Sequence, residues 1–202
     1  GAWIVLDAAM RGLSVGLVEQ GDFASGSSSR SSRFVHGGLR YLRYRHFSLV
    51  RESLQERGRL LRIAPHLVRP FPFLLPVYKG GRDSALLLRI GLTGYELLAG
   101  RLGLGRHRVR SKDDLRREEP ALRADGLQTG LQYCDAVTND ARLTLTVLLA
   151  AIGHSAAAAN YVQGVAWEKT GGRVVGVNCR DVTTGAELTV RGKVIVCAAG
   201  TW

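Results

Sequence analysis

A chain of 202 residues, 46% of them apolar, is long enough for one sizeable core, and its formal charge of +11 implies an anionic neighbour: nucleic acid, lipid headgroups or a phosphorylated small molecule. The basic residues are neither interleaved with exposed aromatics nor part of a nucleic-acid module, which argues against nucleic acid. Cys134, Cys179 and Cys197 stand far apart with no C-x-x-C and no histidine at ligand spacing, so neither a zinc site nor a disulfide framework is indicated.

In chain order, Ile4, Val5, Ala8 and Ala9 recur at helical spacing, Gly12 stops the helix, and residues 13–19 form a short apolar run with β-branched members. A helix followed by a buried strand is the second half of a βαβ dinucleotide-binding unit. Gly1 then stands as the last glycine of the turn before the helix, and Glu19, at the strand end, as the acid that takes ribose hydroxyls. The first strand and the rest of the Gly-rich turn are not in the sequence, so the chain is expected to be part of a longer protein. Residues 193–202, KVIVCAAGTW, carry the same expectation: a buried strand, with Cys197 in the core, ending in a small-residue turn.

Residues 25–32 are rich in hydroxyls around Gly26, as suits a loop that offers N–H and O–H donors to a pyrophosphate; composition alone fits a flexible linker equally. Next comes SSRFVHGGLRYL, residues 31–42. Here Gly37 and Gly38 let the backbone approach a flat ligand, and Arg40 and Tyr41 can hydrogen-bond an anionic or hydroxylated substrate. Residues 47–63 read as an amphipathic scaffold helix, with Leu49, Val50, Leu54, Leu60 and Leu61 inward and Arg51, Glu52, Glu56 and Arg59 facing water. Pro65, Pro70, Pro72 and Pro76 punctuate an apolar run, with Phe71, Phe73, Leu74 and Leu75, expected as an edge strand or an extended wall of a second domain. Residues 86–104 are the most hydrophobic stretch, but Arg89, Glu96 and Arg101 break it, so it reads as a helix packed on the protein or on a lipid surface and not as a span. A helix over residues 143–152 capped by Asp140, a strand over 160–164, a hairpin joining 173–180 to 187–191 through Thr184 and Gly185, and a buried strand over 194–197 complete the pattern.

Taken in order, GLSVGLVEQGDFASGSSSRSSRFVHGGLRYL, HFSLVRESLQER, APHLVRPFPFLLPVY, LLRIGLTGYELL, YCDAVTNDARLTL and VIVCAAGTW resemble the FAD-dependent glycerol-3-phosphate dehydrogenases, over essentially the whole chain. The likeness is to the aerobic, quinone-linked type; HGGLRYL and the DARL run of residues 140–143 separate it from general FAD-dependent amine oxidases.

That resemblance implies an α/β fold: the Rossmann-like FAD-binding domain of the D-amino-acid oxidase-like oxidoreductases with part of a β-rich substrate domain. Residues 1–70 and 136–202 would belong to the FAD-binding part and 71–135 to the substrate part. Gly1, Glu19, Ser27, Ser28 and Ser32 would hold the cofactor's ADP and pyrophosphate side, Val162 would lie near adenine, His36, Gly37 and Gly38 would line the isoalloxazine, and Ala199 and Gly200 would return to the flavin. Arg40 and Tyr41 would address the substrate, sn-glycerol 3-phosphate, whose oxidation gives dihydroxyacetone phosphate with electrons passed to quinone. The expected location is cytoplasmic, peripheral on the inner membrane of a bacterium, where 10 arginines against 2 glutamates over residues 30–69 would meet anionic lipid. Two other readings stay open: an oxidase that uses oxygen, and an FAD-domain piece that only binds a partner. No metal site is expected, and nothing in the pattern speaks to oligomeric state. The sequence departs from the family at Trp3, where a small glycine would let helix and sheet approach, at Asn139, and at Thr201, which stands for a proline.

Overall fold

The computed structural model describes residues 1–200; the Thr201 departure lies outside them. In chain order its helices and strands are α1 (Ala2–Met10), β1 (Gly16–Val18), β2 (Phe34–Val35), α2 (Leu39–Leu42), α3 (Phe47–Ile63), β3 (Arg69–Tyr78), α4 (Ala85–Ala99), β4 (Arg108–Ser111), α5 (Lys112–Glu118), β5 (Leu127–Val137), α6 (Asp140–Gly153), β6 (Ala157–Ala159), β7 (Val162–Thr170), β8 (Arg173–Asp181) and β9 (Glu187–Arg191). They form two compact units, one made of Gly1–Ser32 with the chain from Asn139 on, the other of Arg33–Thr138. The packing boundaries thus fall elsewhere than at 70 and 135: residues 33–70 join the second unit because β2 and β3 both pair with β5, and α3 packs on α4.

In the first unit, β1 pairs in parallel with β6, Gly16 opposite Ala157 and Val18 opposite Ala159. Val5 and Ala9 of α1 close on Ala151 and Ala156, with Leu6, Val15 and Leu17 at the edge of the cluster. Trp3 does not crowd this contact: its side chain is 49% exposed, and the packed positions are Val5 and Ala9. The strand expected over 160–164 is broken at Asn160–Tyr161, where Tyr161 takes a positive φ of 57°, so β6 ends before and β7 begins after. β7, β8 and β9 form an antiparallel meander with the expected hairpin, turned at Asp181, whose Oδ1 accepts from the Thr183 and Thr184 amides and the Thr183 hydroxyl. These bonds, Thr183's first, hold the Asp181 carboxyl down at about 2. Two further expectations fail. Asn139, not Asp140, caps α6, its Oδ1 accepting from the Arg142 amide, because Asn139 has the extended φ and ψ of a cap while Asp140 already lies in the first turn. Residues 194–197 form no strand: the parallel sheet holds only β1 and β6 among the described residues, and without a ladder the segment leaves Val194 79% exposed and Cys197 exposed.

The second unit is built on β5. Along one edge it pairs with the whole of β3, and its other edge is shared by β2 and β4. Pro70, Pro72 and Pro76 share one parity along β3, so their missing N–H groups all fall on the side away from β5, which is what makes β3 an edge strand. α3 has the expected bounds, and α4 starts where Ser84 Oγ accepts from the Leu87 amide and stops at Gly100, with φ of 52°. Between these helices and the sheet lie Val50, Leu54, Tyr95 and Ala99, all buried. Rings of Phe34, Phe73, Tyr133 and Tyr95 follow one another edge to face or tilted, at centroid distances of 4.9, 5.6 and 6.2 Å.

Candidate functional site

The candidate residues fall into both units, and each set has its own local logic. In the first unit Gly1 precedes α1, and its carbonyl accepts the first helical hydrogen bond from Val5. A Cβ on Gly1 would sit at ordinary contact distance, 3.5 Å from Leu17 and 3.9 Å from Ala198, which brings the chain just before Ala199 and Gly200 against the helix start. Glu19 is tied on three sides. Its amide donates to the Ala159 carbonyl at 3.0 Å, its carbonyl accepts from the Val162 amide at 2.8 Å, and its Oε1 accepts from the Gly21 amide at 3.0 Å. Glu19 and Val162 therefore lie side by side at the end of the parallel ladder. One carboxylate oxygen of Glu19 remains for a diol, the donor pair a ribose presents.

Ser27 and Ser28 lie in a single 3-10 turn, Ser27–Ser29, and with Ser32 they are exposed. The turn is braced from within and below: Ser29 Oγ donates to the Ser25 and Gly26 carbonyls, and Ser31 Oγ donates to the Asp140 carboxylate on α6. Among the described residues the Ser27 and Ser28 hydroxyls bond to nothing in the protein, so their donors are available to an anion.

In the second unit, His36 to Tyr41 form a tight turn into α2. Gly38 has φ of 72° and ψ of 47°, the left-handed region, and the helix with Leu39, Arg40, Tyr41 and Leu42 starts directly after it. Arg40 and Tyr41 are exposed, and among the described residues the Arg40 guanidinium has no hydrogen-bond or ion-pair partner. His36 Nδ1 accepts from the Gly38 amide at 3.0 Å, so in the neutral ring the proton sits on Nε2.

The glycines have a cause the sequence reading missed. A Cβ on Gly37 would lie 2.3 Å from Leu54 and 2.5 Å from the Tyr95 hydroxyl, and one on Gly38 would lie 2.4 Å from the Tyr41 ring. Core packing at Gly37 and the left-handed backbone at Gly38 therefore call for glycine at both places, whatever approaches from outside. The Gly37 amide donates to Tyr95 Oη at 2.7 Å, and the hydroxyl in turn donates to Asp135 Oδ2 at 2.8 Å. Asp135 Oδ1 accepts from Arg57 Nη1 at 2.7 Å, and Arg57 Nη2 donates to the Leu102 carbonyl at 3.1 Å. Arg57 and Asp135 are 2% and 1% exposed, and Tyr95 is buried with them. Burial, reinforced by the Asp135 charge, pushes the Tyr95 hydroxyl far above the usual phenol range; burial first and Asp135 second raise Tyr133 to about 12. Only one signal in the sequence pointed to this network: Arg57 stands three residues after Leu54 and seven after Val50, on the apolar stripe of α3. The small cavity beside it, lined by Tyr95, Tyr133 and Cys134 among others, is about 10 Å³, room for a water.

Comparison with known proteins gives a concordant picture. The family described as FAD dependent oxidoreductase matches residues 1–202. The chain is 44% identical over 203 residues to glycerol-3-phosphate dehydrogenase 2 of Mycobacterium bovis, covering 100% of this chain and 34% of that protein. It is 41% identical over 213 residues to the mitochondrial glycerol-3-phosphate dehydrogenase of Homo sapiens, covering 99% of this chain and 29% of the relative. The glycerol-3-phosphate dehydrogenase of Bacillus halodurans, solved as a complex with FAD, superposes with a TM-score of 0.75 at 33% identity, over 100% of this chain and 32% of that one. The chain thus spans about a third of the length of the curated relatives it matches.

Proposed function

Because the chain belongs to the family of FAD dependent oxidoreductases, we propose that, within a protein of its relatives' length, it binds FAD and oxidises sn-glycerol 3-phosphate to dihydroxyacetone phosphate. The observation that carries this reading is the His36–Tyr41 turn, which presents an exposed, unpartnered Arg40 and its neighbour Tyr41 from a rigid glycine start. A guanidinium so placed suits the phosphate or hydroxyls of a small anionic substrate. Glu19 and Val162 suit the ADP end of the cofactor, Gly1, Ser27, Ser28 and Ser32 its pyrophosphate, and His36, Gly37, Gly38, Ala199 and Gly200 its ring. When bound, FAD supplies the hydride acceptor for oxidation of a secondary alcohol. The chain's own part is to hold the substrate anion, keep the turn from shifting, and present the His36 Nε2–H as a donor.

Quinone is the acceptor we favour, and an anionic bacterial membrane the surface where the protein meets it. α4 turns Leu86, Ile90 and Leu97 to solvent, 66%, 61% and 77% exposed, and a groove of about 440 Å³ beside it is lined by Arg51, Arg101 and Leu97. Among the described residues no helix is long and apolar enough to cross a membrane, so contact would be at the surface. The test is the full protein's flavin absorbance together with turnover of sn-glycerol 3-phosphate, run with a quinone analogue and with oxygen alone. Reduction of the quinone analogue in preference to oxygen supports the whole reading, faster reduction of oxygen makes the protein an oxidase, and bound flavin without turnover leaves a binding module. Sedimentation with liposomes across a salt series checks the surface: loss of binding with salt, and only with anionic lipid, is expected.

A further inference from the structure

The turn that carries Arg40 and Tyr41 rests on three side chains that the functional reading leaves unused. Tyr95 comes from α4, Asp135 from β5 and Arg57 from α3, and they meet at one buried point under Gly37. The hydroxyl of Tyr95 has a fixed sense: its oxygen takes the Gly37 N–H, so its proton must go to Asp135, and Arg57 holds that carboxylate from the other side. The next amide, that of Gly38, is taken by His36 Nδ1. Both amide N–H groups of the glycine pair are thus spent inside the protein, one from below and one from within the turn.

A chain of bonds to charged groups at 1–3% exposure is more than packing needs at this place. Phenylalanine at 95 would fill the same volume against Leu54 and Ala99, and an apolar pair at 57 and 135 would avoid desolvating two charges. What the polar version adds is direction, since the Gly37 amide can point only at Tyr95 Oη. We propose that Tyr95, Asp135 and Arg57 are positioning residues for the reaction, which fix the orientation of the His36–Gly38 peptides and, through them, the His36 Nε2–H and the start of the Arg40–Tyr41 helix. Resting on the functional reading above, the assignment adds three residues to the site without placing any of them against substrate or cofactor.

The experiment uses the full protein with FAD and the variant Tyr95→Phe, which removes one oxygen. Amide hydrogen exchange over residues 34–42 should quicken at least tenfold, the visible circular dichroism of the bound flavin should change, and kcat with sn-glycerol 3-phosphate should fall at least tenfold with a smaller change in KM, while flavin content stays that of the wild type. Leu115→Ala, a cavity in the same unit where Leu115 packs over Gly130, serves as the control for lost stability; it should keep kcat within twofold. Unchanged exchange in Tyr95→Phe, unchanged kcat and dichroism, or an equal loss of kcat in the control would overturn the proposal. Should Tyr95→Phe fail to fold, 3-fluorotyrosine at position 95 keeps the ring and hydroxyl but makes the oxygen a weaker acceptor for Gly37. A twofold or larger fall in kcat then supports the assignment and no change overturns it. A wild-type protein without flavin or turnover sinks the functional reading, whereas an active wild type beside an equally active Tyr95→Phe sinks this proposal alone.

Discussion

Two turns of this chain, the one after β1 and the one before α2, carry most of the candidate site, and they are held in different ways. The first, from Glu19 through the serine run, is braced by local bonds: Gly21 amide to Glu19, Ser29 to Ser25 and Gly26, Ser31 to Asp140. The second is pinned from below by side chains 58 and 98 residues away in sequence, the Tyr95 hydroxyl bonding Gly37 and Asp135 passing the load to Arg57. A turn that offers hydroxyl donors to a flexible diphosphate can tolerate local bracing. On the roles proposed above, the second turn aims a guanidinium and a ring N–H and draws support from the core, where a buried ion pair carries the risk of large loss when either partner is removed.

The contrast can be broken hardest at Asp135. Asp135→Ala leaves the Arg57 charge buried with no counter-ion, and chemical denaturation should record a loss of about 3–5 kcal/mol. A loss below about 1 kcal/mol would mean that the pair does not support the turn. Glycine substitutions sharpen the comparison. Gly37→Ala drives a methyl into Leu54 and Tyr95 and should cost roughly 1–3 kcal/mol or more, whereas Gly1→Ala meets only ordinary contacts and should stay within about 0.5 kcal/mol. Equal effects at the two glycines would mean that the packing of Leu54 and Tyr95 under the second turn does not require glycine at position 37. At the locally braced turn, Glu19→Ala should weaken FAD binding by roughly 1.5–3 kcal/mol with little change in folding stability, read by flavin titration of the full protein. An unchanged dissociation constant would remove Glu19 from the cofactor's site.

Much of this architecture is legible in the sequence, and the misses share a physical reason. α3 begins at Phe47 and ends at Ile63, where the apolar stripe and the following Ala-Pro place it, and the β8–β9 hairpin follows from alternation with Thr184 and Gly185 between. The edge character of β3 is written in the parity of its prolines. Segment 194–197, by contrast, has the composition of a strand but no ladder, and composition cannot supply a partner. The α6 cap was misassigned by one residue because Asn139 and Asp140 are chemically equal caps, and only the backbone angles separate them. The network under Gly37 joins α3, α4 and β5, and single-chain periodicity has no term for a contact between three distant elements. Of its members only Arg57, a charge on an apolar stripe, left a trace.

The central claim is that the core-pinned turn presents Arg40 to a small anionic substrate. It is tested most directly by steady-state kinetics of Arg40→Ala in the full protein with sn-glycerol 3-phosphate, alongside its flavin content. The account predicts full FAD occupancy with turnover lowered roughly 30-fold to 10³-fold, about 2–4 kcal/mol of lost transition-state stabilisation. A variant that sheds FAD, yet turns over normally in whatever holoenzyme remains, would contradict it.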